Sequence, residues 1–379
     1  MTPFILTLAV LAASGSITDA GIVAAANMIP MLILLLLGGV IADRFSRRSL
    51  LVLTGMASAL VQTAMGIALL IGCYNLALMV VLGLCGGVVS AFNGPALRGI
   101  VPELVGANDL QRANAALAFS RSAVRVGGPV VAGVLVGTLG GGWALVIDAA
   151  TSTIAAICFM LIPAGGRVGA KSSILTGMMQ GWRAFSSTRW IWISSISFGM
   201  INALNVAPVQ ILGSAIVTPV LGAVGWGALL SARTVGMLLA SVGLARWPVT
   251  SPLITGRLFG VLAALPLLGF WLTSNFWILL AFSIVGGIGF GILNVTYDTT
   301  LHAKVPLATL SRVSAYDDLI AFASIPVSQL LIGPLSTHLG NRLLALLCAI
   351  GLVAATLAPL AARSVRVVAR DSKTEIPDS

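Results

Sequence analysis

Charge is scarce in this sequence. Only 8% of its 379 residues are Asp, Glu, Lys or Arg, against roughly a quarter in a soluble domain, while 58% are apolar and the mean hydropathy is +1.06. That composition excludes a water-soluble fold. Histidine and cysteine are thinner still. His302 and His338, with Cys73, Cys85, Cys158 and Cys348, fall at no metal-ligand spacing and make no C-x-x-C, so the cysteines read as buried membrane hydrophobes and no metal or other cofactor is expected. The few acidic residues form no paired-carboxylate or His/Asp/Ser arrangement for hydrolytic work. The chain does not read as an enzyme. With no G-x-x-x-x-G-K-[ST] loop either, an ion gradient is the remaining energy source. Ten-residue alternating segments are also missing, which excludes a transmembrane β-barrel.

What is present is a series of unbroken apolar runs, such as Met31 to Ile41 and Leu343 to Leu360, the pattern of membrane-spanning helices. A bilayer's ~30 Å hydrocarbon layer takes about 20 apolar residues per helical crossing, and with its turn each crossing uses roughly 30. Twelve crossings therefore account for nearly the whole chain. They are expected near 4–14, 20–42, 49–72, 76–97, 115–138, 142–163, 190–213, 221–245, 253–273, 276–298, 314–336 and 341–362. This is an all-α integral membrane protein: residues 1–163 form an N-terminal six-helix half, 164–189 a linker, 190–362 a C-terminal six-helix half, and 363–379 a charged tail.

The net charge of +10 does not point to nucleic acid, because the basic residues are scattered singly or in threes between apolar runs. They set orientation instead. Nineteen of the twenty-one Lys and Arg residues fall in turns after even-numbered spans, at the entry of span five (Arg121, Arg125) or in the tail. Only Arg342 lies on the other side, and Arg233 lies inside a span. The positive-inside rule then places the charge-rich turns and the C-terminus in the cytoplasm. At an offset of 204 residues Gly39 falls on Gly243 and Val101-Pro102 on Val305-Pro306, while Gly128-Pro129 is matched one residue late by Gly333-Pro334. Parallel six-helix repeats are a transporter architecture.

Between spans two and three the chain reads Gly39-Val40-Ile41-Ala42-Asp43-Arg44-Phe45-Ser46-Arg47-Arg48. This resembles the G-x-x-x-D-R-x-G-R-R loop of the major facilitator superfamily, with Ser46 in place of a glycine. Gly94-Pro95-Ala96-Leu97-Arg98, followed by Val101-Pro102-Glu103-Leu104, resembles the branch that contains enterobactin-type and macrolide-type exporters. The resemblance implies a twelve-helix major facilitator fold with its substrate site between the halves. It also implies a gating set of Gly39, Asp43, Arg44, Arg47, Arg48 and Arg98, in which Asp43 meets the N-terminus of span eleven when the cytoplasmic side is shut. An anion is favoured at a helix N-terminus, and the arginines suit carboxylates or anionic headgroups. Trp247 stands where Asp43 would repeat, so a carboxylate latch belongs to the first half only. Against family members, the short first run Phe4 to Ala13 spans about 15 Å, so the chain is expected to begin inside span one, roughly 25 to 30 residues late.

Span five carries Gly128, Pro129 and Gly133, which resemble part of the pattern the family associates with antiporting exporters, although Val124 and Ala132 replace two of its glycines. The arginine that many members carry in span four is absent from Leu76 to Phe92. An ionisable group at membrane depth costs roughly 2 to 3 kcal/mol even on insertion scales, so its retention asks for a reason. Arg125 and Arg233 are therefore candidates for the substrate or proton path, together with Asp148, Asn205, Asn294 and Asp298. For Asp148 a hydrogen-bonded structural role is the stronger alternative, and for Asp298, Asp317 and Asp318 solvation, whereas Asn202, Asn205, Asn294 and Tyr297 read equally as cavity lining or as inter-helix bonds. The expected activity is proton-coupled export of a small amphipathic molecule, such as a drug or siderophore, across a bacterial plasma membrane, with no obligatory protein partner. Uptake or facilitated diffusion by the same fold, or a non-transporting paralogue, are the alternatives.

Overall fold

A bilayer core offers backbone N–H and C=O groups no water, so each crossing must satisfy its own hydrogen bonds as a helix. The computed structural model describes residues 2–42, 46–104, 109–162, 182, 185–247, 249–305, 307–365 and 367, and every regular element among them is helical. The chain divides into two compact units, Met1–Ser172 and Ser173–Ser379.

The first unit contains α1 (Thr2–Ser14), α2 (Ile17–Ala42), α3 (Arg47–Leu70), α4 (Leu76–Leu104), α5 (Leu110–Leu139) and α6 (Gly141–Met160). The second contains α7 (Arg189–Arg246), α8 (Pro252–Gly260), a 3-10 turn (Val261–Ala264), α9 (Leu265–Leu272), α10 (Phe276–Lys304), α11 (Leu307–Leu339) and α12 (Asn341–Leu357). Among the described residues ten stretches are long and apolar enough to cross a membrane, α8 to α9 counting as one. At 13 residues α1 is shorter than a crossing. The 58 residues of α7 would reach about 87 Å as one rod, roughly twice a bilayer's full thickness. The helix instead breaks at Gly222, where φ is 69° and ψ 174°, giving two legs, 189–221 and 223–246.

That break corrects the expected connection at 214–220, which is helical throughout. A lone glycine is enough because its φ lies where a Cβ would clash with the backbone, and Gly140 joins α5 to α6 in the same way at φ 86°. Among the described residues those with positive φ, Gly15, Gly72, Gly140, Gly222 and Gly340, all lie in turns that follow odd-numbered spans. Helices α4, α5, α10 and α11 also run five to seven residues beyond the expected spans on the opposite side. Apolar runs mark only the hydrocarbon layer, whereas a helix continues until something caps it.

Within the first unit α3 packs on α6 and α4, α2 on α4, and α1 on α2 and α6. In the second, both legs of α7 form the centre, against α10, α11 and α12. Glycines set the closest approaches: a Cβ on Gly87 would lie 2.0 Å from the Asn27 carbonyl oxygen, and one on Gly287 2.0 Å from that of Arg233. Serines and an asparagine stitch α7 to α11 through backbone carbonyls, with Asn202 donating to Ala321 at 2.9 Å and Ser324 to Gly199 at 2.6 Å. Large apolar side chains such as Leu60, Phe119, Ile154 and Ile350 point outward, the surface of a body surrounded by lipid.

Candidate functional site

The loop expected to gate is described only at its edges. Asp43 and Arg44 lie outside the described residues. Gly39 sits in the last turn of α2 and Arg98 near the end of α4. Ser46, standing where the resemblance expects glycine, is the N-cap of α3: its Oγ accepts from the Ser49 backbone N–H at 3.1 Å, satisfying one of the helix's orphan donors. Arg47 opens α3, and Arg48 donates from Nη2 to the carbonyl oxygen of Met160, the last residue of α6, where a cation complements the helix dipole. On α5 the residues Gly128, Ala132 and Gly133 form a buried stripe beside the internal Pro129, whereas Arg125 is exposed. The structure does not bring Arg125 together with the other candidates of its unit.

Asp148 is 8% exposed and belongs to a closed polar knot. Thr2 Oγ1 donates to Asp148 Oδ2 at 2.6 Å, Gln62 Nε2 donates to Thr2 Oγ1 at 2.9 Å, and Ser152 Oγ donates to Gln62 Oε1 at 3.1 Å. The knot ties α1, α3 and α6 and gives Asp148 the geometry of a strut.

The second unit brings Arg233 and Asn205 together. Arg233 Nη2 donates to Asn205 Oδ1, and its guanidinium carbon lies 5.1 Å from the centroid of the Phe290 ring. Asn205, fully buried, passes its own Nδ2 hydrogen to the Ala263 carbonyl at 3.0 Å. A charge-assisted hydrogen bond and a ring face are what a guanidinium needs away from water. Asn294 is spent within its own helix, on the Phe290 carbonyl at 2.7 Å. Asp298 is exposed, with His302 one turn along α10 as its electrostatic neighbour.

A further buried cluster contains residues that sequence reasoning left at the membrane edge. Arg257, on α8, is 1% exposed. Its Nη1 donates to Ser197 Oγ at 2.6 Å, and Ser197 donates onward to the Ala355 carbonyl at 2.7 Å. Its guanidinium carbon stands 5.0 Å from the Phe198 ring centroid, and its Nε and Nη2 have no hydrogen-bond partner among the described residues. The Phe198 ring lies 4.5 Å from that of Tyr297. Tyr297 donates from its hydroxyl to Asp317 Oδ1 at 2.7 Å, and Ser195 Oγ bonds the same oxygen. Asp317 is 6% exposed while Asp318 points outward. Residues from α7, α8, α10, α11 and α12 thus converge on one charged network inside the second unit.

Helices of membrane length, outward apolar faces and charged clusters held inside them describe a membrane carrier, and sequence comparison gives its lineage. The model of the Major Facilitator Superfamily matches residues 1–324. The chain belongs to this superfamily. It is a multi-pass membrane transporter rather than an enzyme. Among curated proteins it is 26% identical over 364 residues to the multidrug efflux pump Tap of Mycolicibacterium fortuitum, covering 87% of this chain and 84% of that protein. It is 25% identical over 360 residues to the protein of the same name in Mycobacterium tuberculosis H37Rv, covering 87% and 82%. Among solved structures it resembles the nucleoside transporter NupG, with a TM-score of 0.74 at 14% identity over 95% of this chain and 93% of that one. It also resembles a bacterial homologue of the lysosomal transporter Spinster, at 0.70 and 15% over 99% and 96%. At those identities the solved structures speak for the fold alone. The superfamily match takes in the Gly39 to Arg48 loop, the α5 stripe and the charged residues of both clusters of the second unit, Arg233, Arg257 and Asp317.

Proposed function

We propose that this transporter exports small amphipathic compounds, of the kind multidrug pumps handle, in exchange for protons, with its arginine-rich turns and its C-terminus in the cytoplasm. The observation that carries the reading is the similarity to multidrug efflux pumps across most of both chains. The glycine-proline stripe of α5, the excess of Lys and Arg after even-numbered spans, and the ionisable groups held at membrane depth in the second unit support it. In this reading the loop from Gly39 to Arg48 with Arg98 gates the cycle, and Arg233 with Asn205 borders the substrate path.

The test is accumulation of ethidium against its gradient by the purified chain in liposomes, driven by an imposed pH difference. Export by proton exchange requires dye movement that stops when a protonophore collapses the gradient. Dye movement equal with and without the gradient would replace export by facilitated diffusion. Arg233→Met should lower the rate at constant protein amount, and an unchanged rate would remove Arg233 from the path.

A further inference from the structure

We propose that Asp317 is a reversible proton-binding site of the second unit, with Arg257 as its counter-charge and Ser195 as the switchable partner that serves both of its protonation states. The proposal rests on the proton-exchange reading above and names the group that carries the proton.

The geometry of one hydroxyl supports it. A serine Oγ carries a single hydrogen and two lone pairs, yet Ser195 Oγ is in bonding range of two acceptors, the Ile191 carbonyl at 2.9 Å and Asp317 Oδ1. When Asp317 is ionised, Ser195 turns its hydrogen to the carboxylate, which then receives two donors, Ser195 and Tyr297. When a proton from water is added to Oδ1, the acid donates to Ser195 Oγ, and the serine hydrogen turns to the Ile191 carbonyl. No heavy atom moves, and no polar group loses its partner. A carboxylate used only as a strut needs partners for one charge state. This one has them for both.

Arg257 is provided for in a matching way. A guanidinium does not release its proton in a protein, and this one is 1% exposed. With Asp317 ionised the two charges offset each other electrostatically. With Asp317 protonated, Arg257 still has the Ser197 hydroxyl and the Phe198 ring, neither of which depends on the acid. Among the described residues the charged and titratable groups facing Asp317 are Arg257 from α8 and Tyr297 and Asp298 from α10. From α7 it meets the Ser195 hydroxyl, and α12 contributes the Ala355 carbonyl beneath Ser197.

The experiment pairs infrared difference spectroscopy of the full chain in liposomes, titrated between about pH 5 and about pH 9, with ethidium transport. The unsubstituted chain should show a carboxylic-acid carbonyl band that grows on acidification and is missing in Asp317→Asn. In Ser195→Ala, which leaves the carboxyl in place, the band should persist at higher frequency because the acid has lost a hydrogen-bond partner. Asp317→Asn should also lose gradient-driven accumulation of ethidium while keeping downhill flux, a split that misfolding would not produce. A titrating band identical in the unsubstituted chain and Asp317→Asn, or an unmoved band in Ser195→Ala, overturns the site. Gradient-driven accumulation that survives in Asp317→Asn overturns its carrier role. If the band behaves as expected but the unsubstituted chain accumulates nothing under a pH gradient, proton-exchange export is what fails.

Discussion

The two units share a packing skeleton and differ in where they bury charge. In the first, Gly83 and Gly87 of α4 face Val23 and Asn27 of α2. In the second, Gly287 and Gly291 of α10 face Arg233 and Met237 of the second α7 leg. These glycine pairs stand at the 204-residue offset seen in the sequence, so the glycines of the repeat recur where backbones touch. The polar interiors are not alike. The first unit knots Asp148 with Thr2, Gln62 and Ser152, whereas the second holds Arg233, Arg257, Tyr297 and Asp317 in place by bonds between helices. Close packing tolerates little change at a contact, while side chains beside it can diverge once their own partners exist. The shared skeleton therefore carries the fold, and among the described residues the arginines bonded between helices are those of the second unit.

The largest expected effect breaks the shared part. Gly87→Leu and Gly287→Leu each place a branched side chain where even a Cβ would stand 2.0 Å from a carbonyl oxygen. Overpacking costs about 1–3 kcal/mol and more where backbone must separate, so both variants should lose monodisperse protein on size exclusion in detergent. Tolerance of one and not the other would show that these two close approaches are not equally tight.

Charge removal tests the difference. Arg257→Met leaves Asp317 without its counter-charge and should cost about 3 kcal/mol, read as a lower unfolding midpoint. Asp148→Asn keeps an acceptor for Thr2 and should cost about 1 kcal/mol. In Arg257→Met combined with Asp317→Asn, the loss should be smaller than the sum of the singles by about 1 kcal/mol or more, the sign of two groups that interact. Equal costs for Arg257→Met and Asp148→Asn would erase the distinction between the units.

The residues that sequence reading misplaced show what it can and cannot see. The spans after the first were legible because each is a run of about 20 apolar residues, and Arg233 stood out as a charge inside one. Arg257 lies only four residues past Leu253, close enough to a run's edge to pass for a turn residue; what puts it inside is Ser197 and Phe198, about sixty positions earlier. Asp317 did carry a local signal. Val313, Asp317, Ala321 and Ile325 recur every fourth residue and are all buried, the period of one helix face, whereas Asp318 is turned about 100° away from it. Placed by sequence toward the cytoplasmic end of span eleven, both aspartates read as solvated. Ser46 was legible as a departure from the family loop, but its use as a cap depends on a backbone that turns extended at φ −64° and ψ 130°.

The smallest effect concerns the turns after spans three and nine, which the repeat makes equivalent and the structure anchors differently. In the second unit Asn275 caps its own α10, and Arg342 donates to Ser274 Oγ at 2.9 Å. In the first, Tyr74 donates from its phenol to Asp19 Oδ2 at 2.7 Å, and Ser16 Oγ donates to Oδ1 of the same carboxylate at 3.0 Å, so the turn is tied to the first turn of α2 by an ionisable pair. Burial, then the bond to Asp19 and its charge, push the Tyr74 phenol up from 10.0 to about 12. A group whose proton is held more tightly in the folded chain adds stability that is complete below its unfolded value. That contribution then falls as pH rises through the folded one. The tie should therefore be whole below about pH 10 and gone above about pH 12. Tyr74→Phe should lower stability by up to about 1 kcal/mol at neutral pH, the net worth of one half-exposed hydrogen bond. Unfolding midpoints of the two proteins should converge as pH rises across that window, and a gap that stays constant would show that the phenol is not titrating there.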